Sequence, residues 1–203
     1  MIDLYMWGTG NGLRASLVLA ETGLVHQVHK VDLTKGEQKT PEFLKLNPAG
    51  VIPVIVDRDG PGGKPLTLAQ SGAIVVYCCE KAAKFIPTDP LRRAMAAQWF
   101  LQAASDVGPT GGAIFQLEFA TPEKSPAISE FFKNRLIAYF RHVDRHLAGR
   151  SYLADEISFA DFMLYPNYAL RKTMLEAAGG LDNLRRWGER MAARPGVQKG
   201  MNP

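Results

Sequence analysis

Strand-forming patterns are confined to the first 84 of the 203 residues, and nothing after residue 85 reads as a strand. A chain with that asymmetry has material for one small sheet near its N-terminus and must build the rest from helices. Ile2 to Trp7 is a short apolar run, Leu13, Leu17, Ala20 and Leu24 then recur at helical spacing, and Gly23 offers a stop. Val25 to Leu33 supplies a second strand-like segment. Thr40-Pro41 is an N-cap and first-turn pair for a short helix through Phe43 and Leu46, ending near Asn47-Pro48. Pro53 to Asp57 and Pro65 to Ala69 flank the loop DRDGPGGK and read as a hairpin, after which Ser71 can cap a helix running toward Lys84. The order is βαβ, a short helix, then ββα: two parallel strands joined by a right-handed crossover plus an antiparallel hairpin.

Beyond a boundary near residues 85 to 89 the pattern is helical throughout. Thr88-Asp89-Pro90 starts a helix carrying Ala94, Met95, Trp99 and Leu101, which Gly108-Pro109 and Gly111-Gly112 interrupt. Ile128, Phe132, Leu136, Tyr139, Val143 and Leu147 form one apolar stripe. Ser158 and Asp161 make an acidic capping box, with Ile157 and Phe162 placed as a hydrophobic staple. Asp182 opens a last helix with Leu184, Trp187 and Met191 inward, closed by Arg194-Pro195. The expected architecture is an α/β domain over residues 1–84 and an all-α domain over residues 89–203.

Composition excludes several functions. With 46% hydrophobic and 22% charged residues the chain can build a real core, and no segment approaches the roughly 20 apolar residues needed to span a bilayer. No basic leader precedes a sustained apolar run, so a soluble, untargeted protein is expected. The net charge of +4 comes with scattered arginine pairs, Arg92-Arg93 and Arg185-Arg186, without interleaved aromatics. That is a solvated basic surface with a weak bias toward anionic small molecules, and no nucleic-acid partner is expected. The two cysteines, Cys78 and Cys79, are adjacent in an apolar helical stretch. They read as core residues, unlike a C-x-x-C redox pair, and fit a reducing, cytoplasmic setting.

The stretch YMWGTGNGLRAS is the first candidate site. Gly8, Gly10 and Gly12 allow close approach of another molecule at the mouth of a helix, and Thr9 and Asn11 offer it small polar groups. A nucleotide is not expected there: the glycines give G-x-G-x-G, and Leu13 holds the place where the dinucleotide fingerprint needs its third glycine. No metal is expected either, because His142 and His146, and likewise His26 and His29, lack a third ligand nearby. Ser71 lies in QSGA without a nucleophile elbow, and reads as a helix cap that could also hold a carboxylate. Pro53 admits two readings, an ordinary trans proline at a strand start or a cis bond that leaves the Ile52 N–H and C=O free for an extended peptide ligand.

Three motifs then share one order along the chain: Asn47-Pro48-Ala49-Gly50-Val51-Ile52-Pro53, Gln70-Ser71-Gly72-Ala73-Ile74 and Ser158-Phe159-Ala160-Asp161. They resemble the glutathione transferase superfamily, whose members join a thioredoxin-like N-terminal domain to an α-helical one. Thr9-Gly10-Asn11-Gly12, followed by Val31-Asp32-Leu33 and Lys35-Gly36-Glu37-Gln38, looks most like the bacterial Nu class of glutathione-dependent disulfide-bond oxidoreductases. The resemblance implies glutathione as co-substrate, with Thr9 and Asn11 facing its sulfur and no protein cysteine taking part. It also implies that Gln38 touches the glycyl end, that Ile52, before Pro53, pairs through its backbone with the cysteinyl residue, and that Gln70 and Ser71 hold the γ-glutamyl end. Members usually carry Glu or Asp where this chain has Gln70, which removes a charged partner for the ligand's ammonium. The second substrate, a small disulfide or an electrophile, would meet Trp7, Phe115 and Phe119, and a homodimer is implied. Disulfide reduction, conjugation of glutathione to an electrophile and glutathione binding without catalysis all remain open at this point.

Overall fold

The computed structural model describes residues 1–203. The chain divides into two compact units, Met1–Ile86 with Ala192–Pro203, and Pro87–Met191.

The first unit runs β1 (Ile2–Met6), α1 (Gly10–Thr22), β2 (His26–Lys30), α2 (Pro41–Leu46), β3 (Val54–Asp57), β4 (Leu66–Ala69) and α3 (Ser71–Lys81). Its strands lie in the order β2-β1-β3-β4, with β1 parallel to β2 and antiparallel to β3, and β3 antiparallel to β4. This is the thioredoxin-like arrangement. Ile2, Leu4, Leu17, Leu19, Ile55 and Ile74 fill its core. Asp3, which points out of that alternation into a buried position, accepts from His29 Nε2 and Arg58 Nη2, each at 2.9 Å. Its acid lies below the usual carboxylate range because of the His29 hydrogen bond, reinforced by Arg58.

The C-terminal end returns to this unit. Its short helix α10 (Pro195–Gly200) follows the Arg194-Pro195 step that the sequence reading took as a terminus. Gly200 sits so close to α1 that a Cβ there would lie 2.4 Å from the Leu17 Cα, and Arg194 grips Glu21 with bonds of 2.9 and 2.7 Å. Six residues are too few for a periodic signal, and the packing that fixes them is wholly tertiary.

The second unit comprises α4 (Pro90–Gln102), α5 (Gly108–Phe115), α6 (Pro126–His146), α7 (Phe159–Ala169), α8 (Lys172–Ala178) and α9 (Asp182–Ala192, whose last residue passes into the first unit). Gly108-Pro109 does not break the chain's helical course as expected. π-turns over Ala103–Val107 and Gln116–Ala120 carry the helix through, with the Gly108 N–H reaching back to the Ala103 carbonyl. Pro109 has no N–H to return to Ser105, so the ladder widens instead of ending. On α6, Leu136, Val143 and Leu147 are buried as the stripe predicts, but Phe140 takes the inward place and Ile128 is exposed. No helix is long and apolar enough to cross a membrane.

The capping box of α7 forms. The Ser158 hydroxyl accepts from the Ala160 N–H at 3.4 Å, and Asp161 accepts from the Ser158 N–H at 2.9 Å, from Leu153 N–H at 3.2 Å and from Trp187 Nε1 at 2.8 Å. Burial pushes the Asp161 acid up to about 6, against the pull of those donors. Asp161→Ala would strand three buried N–H donors and the Ser158 hydroxyl at roughly 1–3 kcal/mol each, so chemical denaturation near pH 5 should show a loss of at least about 4 kcal/mol. An acid whose folded value exceeds its ordinary value of about 3.9 adds most below that value and loses its contribution as pH rises through about 6. The wild type's advantage over Asp161→Ala should therefore shrink, not grow, between pH 4 and pH 7.

Candidate functional site

The strand register brings the motif residues of the first unit to one end of the sheet. Tyr5 pairs with Val54 and Val54 with Ala69, so the turn after β1, the residues before β3 and the residues after β4 all emerge together. Lys30 lies opposite Met6, so the segment after β2 leaves from that end too. Beneath it Val31, Phe43, Ile52 and Val54 form a cluster on which Trp7 and Ala69 pack.

Thr9 is the N-cap of α1, with φ −94° and ψ 162°, and its Oγ1 accepts from the Gly12 N–H at 3.2 Å. That hydroxyl has one proton, and capping uses a lone pair, so the proton remains to be donated. Gly12 is indispensable here because a Cβ would fall 2.0 Å from the Trp7 carbonyl oxygen. Asn11, in the first turn, has its Oδ1 engaged by Arg14 Nη1 at 2.7 Å and by the Ser71 hydroxyl at 3.4 Å. Its Nδ2 protons face the other way. The first turn of α1 therefore presents donors, at the positive end of a helix dipole.

Arg14 went unnoticed in the sequence because a charged residue in a helix reads as surface. It is 3% exposed, and its Nη1 also reaches the Ser71 Oγ at 3.3 Å. Burial lowers its guanidinium to about 10, which still leaves it cationic at neutral pH. Ser71, in turn, does not cap α3 as expected. Gln70 occupies the N-cap position at φ 73° and ψ 113°, without a side-chain cap bond, and the buried Ser71 hydroxyl turns toward Arg14 and Asn11. A residue other than glycine at positive φ stores strain of the kind found where function fixes a conformation.

The Ile52-Pro53 bond is cis. Asn47 holds the preceding loop: its Nδ2 donates to the Val51 carbonyl at 2.7 Å and its Oδ1 accepts from the Ala49 N–H at 3.2 Å. Ile52 itself lies outside the β-ladder, whose pairing with β4 begins at Val54. Gln38, on a 3-10 turn over Glu37–Lys39, has a buried Oε1 that meets no donor. Buried polar atoms without a partner are uncommon, which sets Gln38 apart from its neighbours on this turn.

The remaining expected residues are spread over both units. Phe115 and Phe119, at the end of α5 and in the π-turn after it, are exposed, with ring centroids 5.4 Å apart. Trp7 belongs to the first unit and those two to the second. His142 and His146 pack on Trp99 at 5.1 and 4.3 Å. Cys78 and Cys79 are free and fully buried, and burial pushes the Cys78 thiol up to about 12 and Cys79 higher still.

Residues 11–81 match the model of the glutathione S-transferase N-terminal domain, and residues 112–200 that of the C-terminal domain. The chain is 34% identical to the Escherichia coli (strain K12) disulfide-bond oxidoreductase YfcG, over 96% of this chain and 92% of that protein. It also superimposes on a Pseudomonas putida glutathione transferase solved with one glutathione disulfide per subunit, with a TM-score of 0.91 and 32% identity over 99% of this chain and 90% of that one. A Burkholderia graminis glutathione transferase solved with two glutathione molecules per subunit gives 0.90 and 32%, over 99% and 87%. The chain belongs to the glutathione S-transferase family.

Gly12→Ala should cost about 1–3 kcal/mol in urea denaturation, the usual penalty for overpacking, because the clash is with backbone. Gly8→Ala, where a Cβ meets nothing within 4 Å, should change stability far less.

Proposed function

We propose that this chain is a glutathione-dependent enzyme that reduces disulfide bonds, with Thr9 and Asn11 holding the glutathione sulfur as a thiolate. The observation that carries the reading is the use of acceptors at the mouth of α1. Thr9 Oγ1 and Asn11 Oδ1 both accept from within the protein, so both side chains have donors to spare and the site favours an anion. The disulfide-bond oxidoreductase named among its relatives and the glutathione-containing structural neighbours support the same direction.

The magnitudes suffice. A free cysteine thiol ionises near 8.5, and lowering it by two units takes roughly 2.7 kcal/mol in favour of the anion. One hydrogen bond to a charged group contributes about 1.5–3 kcal/mol and a helix N-terminus about 0.3–1 more. Two side-chain donors and α1 cover that requirement without any protein base. Bound glutathione supplies the nucleophilic sulfur, which displaces one sulfur of a disulfide as a thiolate and leaves the other for a second glutathione.

In this reading the chain's other residues orient the ligand. Gln38 touches the glycyl end, the Ile52 backbone pairs with the cysteinyl residue beside Pro53, and Gln70 with Ser71 holds the γ-glutamyl end. Conjugation to an electrophile would use the same thiolate, and the neighbours named glutathione transferases keep it as the second reading.

Side-by-side assays decide between them. Turnover of a small model disulfide well above that of a nitroaromatic halide is expected, and the reverse ratio would replace reduction by conjugation; glutathione binding with neither activity would leave a binding module. The Thr9→Ala, Asn11→Ala double variant should lose at least about tenfold in turnover, equivalent to 1.4 kcal/mol, and an unchanged rate would remove both residues from the mechanism. Gln70→Glu should tighten glutathione binding in calorimetry, since a charge-assisted bond to the ligand's ammonium is about twice as strong as a neutral one.

A further inference from the structure

An asparagine amide has two orientations, and which one faces outward decides whether it donates or accepts. At Asn11 that choice is made from inside the protein. Arg14 Nη1 lies 2.7 Å from one atom of the amide, and a guanidinium has only donors, so the atom facing it is the oxygen. The Ser71 hydroxyl accepts from the same Nη1 at 3.3 Å and passes its own proton to the same oxygen at 3.4 Å. The three side chains close a triangle in which Arg14 only donates, Ser71 accepts and donates in turn, and Asn11 Oδ1 receives two of the three bonds.

We infer that Arg14 is a positioning residue: its guanidinium locks the Asn11 amide with oxygen inward and NH2 outward, and so makes Asn11 a donor to a bound thiolate. The inference rests on the thiolate reading given above and adds the residue that enforces it. Turning the amide over would set NH2 against a buried cation's N–H groups and aim oxygen lone pairs at a negative sulfur, so both faces oppose the flip. Acceptance from a cation also polarises the amide and strengthens what its NH2 donates. Arg14 is buried on α1 one turn beyond Asn11, so the lock is set before any ligand arrives.

The measurement is the ionisation of glutathione bound at saturation, followed by the ultraviolet absorbance of its thiolate, together with each variant's melting temperature. Arg14→Met should raise the bound thiol's pKa by about one unit, a tenfold smaller thiolate-to-thiol ratio, and Arg14→Lys, which can still donate to Oδ1, should recover most of that. Asn11→Asp keeps an acceptor for Arg14 and offers no donor, so it should raise the pKa at least as far without lowering the melting temperature. An Arg14→Met protein with the wild-type pKa, beside an Asn11→Ala protein whose pKa rises, would overturn the role of Arg14 and leave the thiolate reading intact. No rise in Asn11→Ala or Thr9→Ala would bring down that reading and this inference with it. Should Arg14→Met not fold, the side-chain NH2 resonances of Asn11 in the wild type decide. They should shift on adding glutathione and far less with S-methylglutathione, and equal shifts would overturn the inference.

Discussion

The candidate site depends on the burial of α1. From Gly12 to Leu19 every residue of that helix is buried, by the sheet on one side and by α3 and α10 on others. A helix closed in this way has no ordinary polar face, so each polar side chain on it must find a partner inside the protein. Thr22 returns its hydroxyl to the Val18 and Leu19 carbonyls, Glu21 takes both arms of Arg194, and Arg14 turns to Asn11 and Ser71. The polar order at the helix mouth is thus a consequence of how tightly the helix body is packed. Gly200, where α10 meets Leu17, Gly196, where α10 meets Glu21, and Gly12, where α1 meets the Trp7 carbonyl, are points at which a missing Cβ permits that packing.

The sheet supplies the second half of the arrangement. Because β3 runs antiparallel to β1, it begins at the end where β1 finishes, and β4, antiparallel to β3, finishes there as well. Three segments far apart in sequence therefore share one edge without any long connection. The cluster of Val31, Phe43, Ile52 and Val54 fixes their spacing from below, and Trp7 seals it on the side of β1.

Much of this was legible in the chain because it is local. The strand and helix order of the first 84 residues, the Ser158–Asp161 box and the turn chemistry around Asn47 depend on neighbours a few positions away, and such patterns survive in a one-dimensional reading. Thr9, Asn11 and Ser71 stood out as small polar residues at element ends. What Ser71 does was not legible, because its partners Arg14 and Asn11 lie 57 and 60 positions away. Arg14 and α10 were missed for the same reason: nothing local distinguishes a buried arginine from a solvated one, or a six-residue helix from a turn. The helix at Gly108-Pro109 was misread in the opposite direction, since a proline and two glycines weaken a helix locally, yet π-turns let it continue within its unit.

A site made of neutral donors over one buried cation has an electrostatic preference but no reactive atom of its own. The chain's two thiols lie fully buried on α3, where desolvation holds them protonated far above neutral pH. Thr9 ionises only far above neutral pH, and Asn11 has no proton to exchange in that range. Arg14 stays charged despite its burial, so its donation to Asn11 and Ser71 does not switch on and off across the physiological pH range. In the proposed reading, chemistry at the mouth of α1 is therefore performed by an atom that the ligand brings, and the protein's contribution is to make the charged form of that atom the stable one. With no nucleophile of its own to activate, the fold then acts through the direction in which two small side chains donate.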